Sequence, residues 1–384
     1  MKRKKINIAI LTNIVTAYRE GFFDRIFRLN DFNITVYCQD SMPGMNFASI
    51  HEKYGDKFKI VKYYSAKRER IVWQFLPWSE ILNKYDIVFI NGNPRVFSDF
   101  MISTVMHFTN RNVVLWTMAH SYKANQLTEY IRLKWSKIFN YILVYNDNDV
   151  SYLKSKNFHK SYILGINNGL DQVKIDSVVA KYTENHIKEW KIKNNLHNRL
   201  IVLSCARLES KNKFNIMVQA LSQIINIIPN ILWCLIGDGD ERDNLEKMVT
   251  DAGIEQYVRF VGALYQEEEL APWFISSEIF IHPAAIGLSL LHAFGYGLPV
   301  ITHGKSEYHG PEYSAFTDNL TGRNFIEGDA FHLSAVIVDL LKDKENKSRM
   351  KEHVLCLVRN KYNVDVMVER FVKMTYAIIE HKHL

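Results

Sequence analysis

Cysteine is scarce: of 384 residues only Cys38, Cys205, Cys234 and Cys356 carry a thiol, and none sits in a Cys-x-x-Cys pair. They stand far apart, in or beside apolar runs, so neither a disulfide framework nor a zinc site is suggested. A reducing cytoplasm is the expected setting. Long apolar runs are missing too, none approaching the roughly 18 to 20 residues that a membrane span requires. The opening MKRKKINIAILTNI is basic then apolar, in the manner of a weak signal peptide. Asn7 and Asn13 interrupt it, and Tyr18, Arg19 and Glu20 follow where small cleavage-site residues would be wanted. A first strand over Ile6 to Thr12 is the expectation. There is no internal repeat at solenoid periods and no low-complexity tract. Recognition-helix, RNP and finger patterns are absent as well, so nucleic acid is not an expected partner.

What is present is core-forming sequence. Apolar residues make up 47% of the chain and charged residues 23%, which excludes general disorder and suits two domains, each with its own core. The net charge of +7 is unevenly spread: residues 1–172 hold 24 Lys and Arg against 14 Asp and Glu, and the remainder 24 against 27. A basic first half is suited to anionic lipid head groups or an anionic acceptor.

Strands and helices alternate in that half. Ile6 to Leu11, Ile34 to Cys38, Tyr85 to Ile90, Val113 to Trp116 and Tyr141 to Tyr145 read as strands, and Tyr18 to Leu29 and Ile131 to Phe139 as helices. Ser41 to Glu80 reads as irregular, with Trp73, Phe75 and Trp78 near the basic run Lys67 to Arg70. Asn167-Asn168-Gly169-Leu170-Asp171 is a turn-rich stop. The polar, Lys-rich stretch to Asn198 is expected to be the interdomain link, and a second βα series restarts at Leu200. Such alternation predicts α/β architecture: two Rossmann-like domains facing a cleft, over residues 1–172 and 199–362 with a linker at 173–198. The helix from 363 to 384 is expected to pack back on the first domain.

The stretch IHPAAIGLSLLHAFGYGLPVI, Ile281 to Ile301, is the most informative. A short β-prone segment leads into small residues, and Gly287 lets another group approach the backbone. Leu288, Leu291 and Phe294 then fall at helical spacing, and Gly295, Gly297 and Pro299 stop the helix. Strand, glycine loop and helix N-terminus together make an anion cradle suited to a diphosphate. An ordinary βαβ turn gives the same pattern.

Five segments in order resemble the retaining family-4 glycosyltransferases of the GT-B fold. They are Asn168-Gly169-Leu170-Asp171; Ala206-Arg207-Leu208 followed by Lys211 or Lys213; Ile236-Gly237-Asp238-Gly239 with Glu241-Arg242 and Leu245-Glu246; Val258-Arg259-Phe260-Val261-Gly262; and the stretch just described. The resemblance implies a nucleotide-sugar donor as substrate, no separate cofactor, and Arg207 with Lys211 or Lys213 meeting its phosphates. Gly262, Gly287, Leu288 and Ser289 would lie against the donor. Arg207 paired with Glu209 on the surface is the plain alternative. In the first half, Val113 to His120 is similar to a family strand ending in a His over the transferred sugar, which would be His120. Tyr18-Arg19 is similar to a Tyr-Arg of some members, and Arg19 would meet an anionic acceptor.

The resemblance breaks at two positions. Family members carry two glutamates with seven residues between them, and here Ala284 and His292 occupy those places. His292 can still hydrogen-bond a ribose, whereas Ala284 offers no polar side chain. Glu312, in a Pro-Glu loop like the family's, and Glu307 are acids placed to compensate. Asp238-Gly-Asp240 and Asp147-Asn-Asp149 mimic the Asp-x-Asp metal motif of another glycosyltransferase fold, but the first sits in a matched loop and the second starts a helix. No required metal is expected. The expected function is transfer of a sugar to a glycan or lipid-linked acceptor in bacterial surface polysaccharide synthesis, such as capsule or O-antigen, in the cytoplasm or at the inner face of the membrane. A catalytically silent nucleotide- or glycan-binding partner is the main alternative, and an epimerase of the same fold the third.

Overall fold

The structure, a computed structural model, describes residues 4–41, 49–66, 71–119 and 126–381. The chain divides into two compact units, Met1–Leu170 with Val364–Leu384, and Asp171–Asn363. The first unit runs β1 (Ile6–Leu11), α1 (Glu20–Ile26), β2 (Phe32–Cys38), β3 (Phe58–Ile60), β4 (Tyr63–Ala66), β5 (Ile71–Gln74), α2 (Trp78–Lys84), β6 (Ile87–Asn91), α3 (Phe97–Phe108), β7 (Val113–Thr117), α4 (Gln126–Ser136), β8 (Tyr141–Val144), α5 (Asp147–Ser155) and β9 (Tyr162–Gly165). Its seven-stranded sheet has the order β3-β2-β1-β6-β7-β8-β9, and every pairing in it is parallel. Helices cover both faces, which is why β6 (IVFIN) and β7 (VVLWT) read as apolar runs rather than alternating ones.

The second unit holds α6 (Gln172–Val179), α7 (Glu184–Lys193), β10 (Leu200–Cys205), α8 (Phe214–Ile224), β11 (Ile231–Ile236), α9 (Arg242–Asp251), β12 (Val258–Gly262), α10 (Glu267–Ile275), β13 (Ser277–Ile281), α11 (Leu288–Gly295), β14 (Val300–His303), β15 (Gly322–Phe325), α12 (Ala330–Lys342) and α13 (Lys344–Asn360). Its six strands pair in the order β12-β11-β10-β13-β14-β15, all parallel.

The chain then returns to the first unit as α14 (Val364–His381). Val364, Met367, Phe371, Met374 and Ile378 repeat every three or four residues and are fully buried in the same core as Phe22 and Phe89. Arg370 on this helix reaches the Asp147 carboxylate and the Gly165 carbonyl. One of the two Asp-x-Asp look-alikes therefore serves to hold the C-terminal helix.

The structure differs from expectation in three places. Residues 173–198, expected as a link, fold as α6 and α7 and cluster with the second unit. Asp171 and Thr183 cap these helices, and Gln172 donates to the Gly295 carbonyl at 3.0 Å. No residue of α7 is buried, so its polar composition marks a solvated helix rather than a tether. Within Ser41 to Glu80, expected as irregular, lie the edge strand β3, the antiparallel pair β4–β5 and α2. Finally, α3 had no counterpart in the sequence reading, because it exposes Phe97, Met101, Val105 and Phe108 and so lacks an amphipathic signature. No helix among the described residues is long and apolar enough to cross a membrane.

Candidate functional site

In an open parallel sheet, ligands bind beyond the carboxyl ends of the strands where the strand order reverses, because neighbouring connections leave in opposite directions there. In the second unit that point lies between β10 and β13. The two strand ends are tied together: Ser204 Oγ donates to the Ile281 carbonyl at 2.7 Å and accepts from Trp233 Nε1 at 3.0 Å.

Beyond β10 the chain turns through Ala206-Arg207-Leu208, with Leu208 fully buried as anchor. The Leu208 amide donates to the Asp238 carbonyl at 3.0 Å. The two loops run so close that a Cβ on Gly237 would lie 1.9 Å from the Ala206 oxygen and one on Gly239 2.5 Å from the Leu208 oxygen. Both glycines are needed for that approach. Asn212 completes the turn by donating to the Arg207 carbonyl at 2.7 Å. Arg207 is left half-exposed, 3.7 Å from Glu209, which also binds Lys211. Lys211 and Arg207 together hold the Glu209 carboxyl below its ordinary range. Lys213 points elsewhere: it and Lys305 clamp Glu327, each at 2.8 Å, and draw its pKa down to about 2. Lys211 thus shares the Arg207 turn, and Lys213 belongs to a neighbouring cluster.

Beyond β13, Gly287 precedes α11, whose first-turn amides at Leu288 and Ser289 have no carbonyl of the preceding turn to bond. The loop before it is braced by neutral histidines. His282 Nδ1 accepts from the Ala284 amide at 3.3 Å, and His309 Nδ1 accepts from the Ile286 amide at 3.0 Å while its Nε2 faces the His303 carbonyl at 2.9 Å. Burial pushes the pKa of His282 and of His309 down to about 4. Rings of His303, His309 and Tyr313 stack at 4.1 and 4.0 Å. That stack carries the turn bearing Glu312, which is buried, and an ideal Cβ on Gly287 would lie 3.5 Å from its Oε2. An acid from the following loop therefore stands beside Gly287.

His292 likewise meets an acid from another element. His292 Nε2 lies 2.8 Å from Glu267 Oε1, and Tyr296 Oη donates to the same oxygen at 2.5 Å. Burial raises the Glu267 pKa, but His292 and the Tyr296 hydroxyl outweigh it and hold the carboxyl below its ordinary value. Burial and this carboxylate together push Tyr296 upward. Glu267 is also close enough to help raise the Cys205 thiol, at the carboxyl end of β10, to about 12, although burial is the larger cause. The acid thus lies within electrostatic reach of the end of β10. The Gly262 carbonyl accepts from the Gly237 amide at 2.8 Å. The sequence reading named His292 but missed Glu267; the visible signal was an acid at the first position of the helix after the Gly262 loop.

In the first unit the order reverses between β1 and β6, and Arg19 lies there, lining a cavity with Asn13, Tyr18, Asn91, Trp116 and Tyr145. Buried Arg132 fixes the exit of β7 by donating to the carbonyls of Met118 and Ala119, a role with no motif to announce it. His120 follows directly in sequence but lies outside the described residues, as does the basic run Lys67 to Arg70.

Residues 186–354 match the family model described as Glycosyl transferases group 1. That segment is similar to the group 1 glycosyltransferases. It takes in Arg207, Gly287, His292, Glu267 and Glu312 and leaves Arg19 and His120 outside. The chain is 28% identical over 155 residues to the lipopolysaccharide core biosynthesis glycosyltransferase LpsE of Rhizobium meliloti, covering 40% of this chain and 42% of that protein. It is 29% identical over 160 residues to the amylovoran biosynthesis glycosyltransferase AmsK of Erwinia amylovora, covering 39% and 38%. It therefore spans about two fifths of these curated relatives. Anabaena HepE, solved with UDP, superposes with a TM-score of 0.72 at 14% identity over 97% of this chain and all of that one. The two-domain parallel α/β fold is that of GT-B glycosyltransferases.

Proposed function

We propose that this protein is a retaining glycosyltransferase that moves a sugar from a nucleotide-sugar to a glycan or lipid-linked acceptor in the synthesis of a bacterial surface polysaccharide, without a required metal. The observation that carries this reading is the convergence, inside the segment similar to the group 1 glycosyltransferases, of the Arg207 turn and the N-terminus of α11 on one switch point. As the bond between the sugar and the diphosphate breaks, negative charge gathers on the leaving oxygen. Arg207, Lys211 and the Leu288 and Ser289 amides would stabilise it. The acceptor hydroxyl attacks the face that the diphosphate leaves, and its proton passes to the departing phosphate oxygen, so no protein nucleophile is needed. Glu267, oriented by His292 and Tyr296, takes the ribose hydroxyls, and Glu312 reads the sugar beside Gly287. His120 hydrogen-bonds the transferred sugar, and Arg19 belongs to the acceptor side. The HepE complex with UDP and the polysaccharide roles in the names of LpsE and AmsK support this assignment. Contact of the basic first unit with an anionic membrane surface belongs to the same reading, supported by the exposed apolar residues of α3.

A second reading has a specific observation in its favour. Ala284 and His292 stand where two glutamates are usual, which suits a silent nucleotide- or glycan-binding partner. Incubation with a panel of nucleotide-sugars, with and without an acceptor mix, separates the two. Nucleotide release that rises with acceptor is expected; thermal protection by nucleotide with no release under any condition would establish the silent protein instead.

A further inference from the structure

We infer that the cavity at the carboxyl edge of the first unit's sheet receives an oxyanion carried on a sugar ring, which makes the acceptor an anionic glycan. The inference rests on the reading of the first unit as the acceptor side and adds the chemistry of what is accepted there.

The cavity holds about 310 Å³, at the lower end of the roughly 300 to 1,000 Å³ common for ligand pockets, which suits a single ring with its substituent. Its walls are largely apolar, from Val15, Phe22 and Phe89. Against them stand two buried donors with no acceptor: Arg19 Nη1 and Trp116 Nε1. The Arg19 guanidinium carbon lies 5.2 Å from the Tyr18 ring centre and 5.8 Å from that of Trp116. With two aromatic rings beside it, the guanidinium keeps in-plane N–H groups that match a planar or tetrahedral oxyanion. No carboxylate among the described residues pairs with Arg19, although Lys and Arg elsewhere in this unit, such as Arg25, Lys53 and Arg370, do have such partners. Burying donors without acceptors is costly, and a charged one more so. An incoming carboxylate or phosphate satisfies the arginine, whereas a neutral sugar leaves the charge unmet. Tyr18 and Trp116 supply aromatic faces for the apolar side of a sugar ring.

A carboxylate would come from a uronic acid and a phosphate from a sugar phosphate, and the two share this chemistry. The test is saturation-transfer NMR titration of the full chain with D-glucuronate, D-glucose 1-phosphate and D-glucose, alongside calorimetric titration with UDP and GDP. At least one of the anions is expected to bind tenfold or more tightly than glucose, and the tighter of the two identifies the source. Arg19→Gln should weaken that anion by at least tenfold, Arg19→Lys by less, and Trp116→Phe measurably, with far-UV circular dichroism unchanged. Equal affinity for glucose, an anion affinity untouched by Arg19→Gln, or absence of anion binding in a chain that still binds a nucleoside diphosphate would each overturn the inference. Arg19-dependent anion binding without any nucleotide binding would instead count against the glycosyltransferase reading and leave this site standing.

Discussion

Glu267 accepts from both His292 and Tyr296 through one carboxylate oxygen, an arrangement that fixes the group and keeps it ionised. If it meets the ribose of the donor, Glu267→Gln should weaken UDP or GDP binding about tenfold or more, since a hydrogen bond to a charged group is worth about 1.5–3 kcal/mol. Calorimetric titration reads this directly, and an unchanged affinity would assign Glu267 to packing alone. The histidines beneath the glycine loop make a second residue-scale expectation. Folded, His282 and His309 remain neutral down to about pH 4, against an ordinary value of 6.5. Between these values the unfolded chain binds more protons, so their contribution is intact above pH 6.5 and is lost as pH falls. From pH 6.5 to about 5, above the range of ordinary carboxylates, the pair should cost the second unit about 3 kcal/mol, read by urea unfolding. A flat stability over that window would contradict the buried neutral assignment. The histidine brace was not legible in the sequence, and of Glu267 only its place at a helix start was, because each contact depends on residues brought together from separate elements. The turn at Arg207 and the helix start after Gly287 were legible, because their neighbours along the chain already specify a strand, a tight turn and a helix start.

At the scale of elements, α14 joins the two ends of the chain in one core. Phe371 is fully buried and its ring lies 4.6 Å from Phe89 and 5.8 Å from Phe22. Truncating it to Ala should destabilise the first unit by about 3–5 kcal/mol. Chemical denaturation followed through this unit measures the loss, and a change below about 1 kcal/mol would mean that the helix is not part of the core. The sequence showed α11 and the parallel strands plainly, because apolar periodicity and glycine stops agree there. It hid α3, whose exposed phenylalanines blur the period, and it made the stretch through α7 look like a tether, because α7 buries no residue and is largely polar.

For the molecule as a whole, both sheets present a crevice where their strand order reverses, and the charge is asymmetric between the two halves of the chain. The basic first half and the exposed side chains of α3 lead to one expectation at this scale. The protein should sediment with vesicles containing anionic lipid, less with neutral ones, and added salt should release it. Equal recovery on both kinds of vesicle would remove the electrostatic part of that contact. The switch point of the second unit is the proposed diphosphate site. Its most direct measurement is calorimetric titration of UDP and GDP, with the corresponding nucleosides as controls, into the wild-type chain and Arg207→Ala. Binding of at least one diphosphate, weak or no binding of its nucleoside, and an affinity loss of about ten- to a hundredfold in the variant are expected for a charge-assisted phosphate contact. A diphosphate affinity no greater than that of the nucleoside, or one that Arg207→Ala leaves intact, would contradict it.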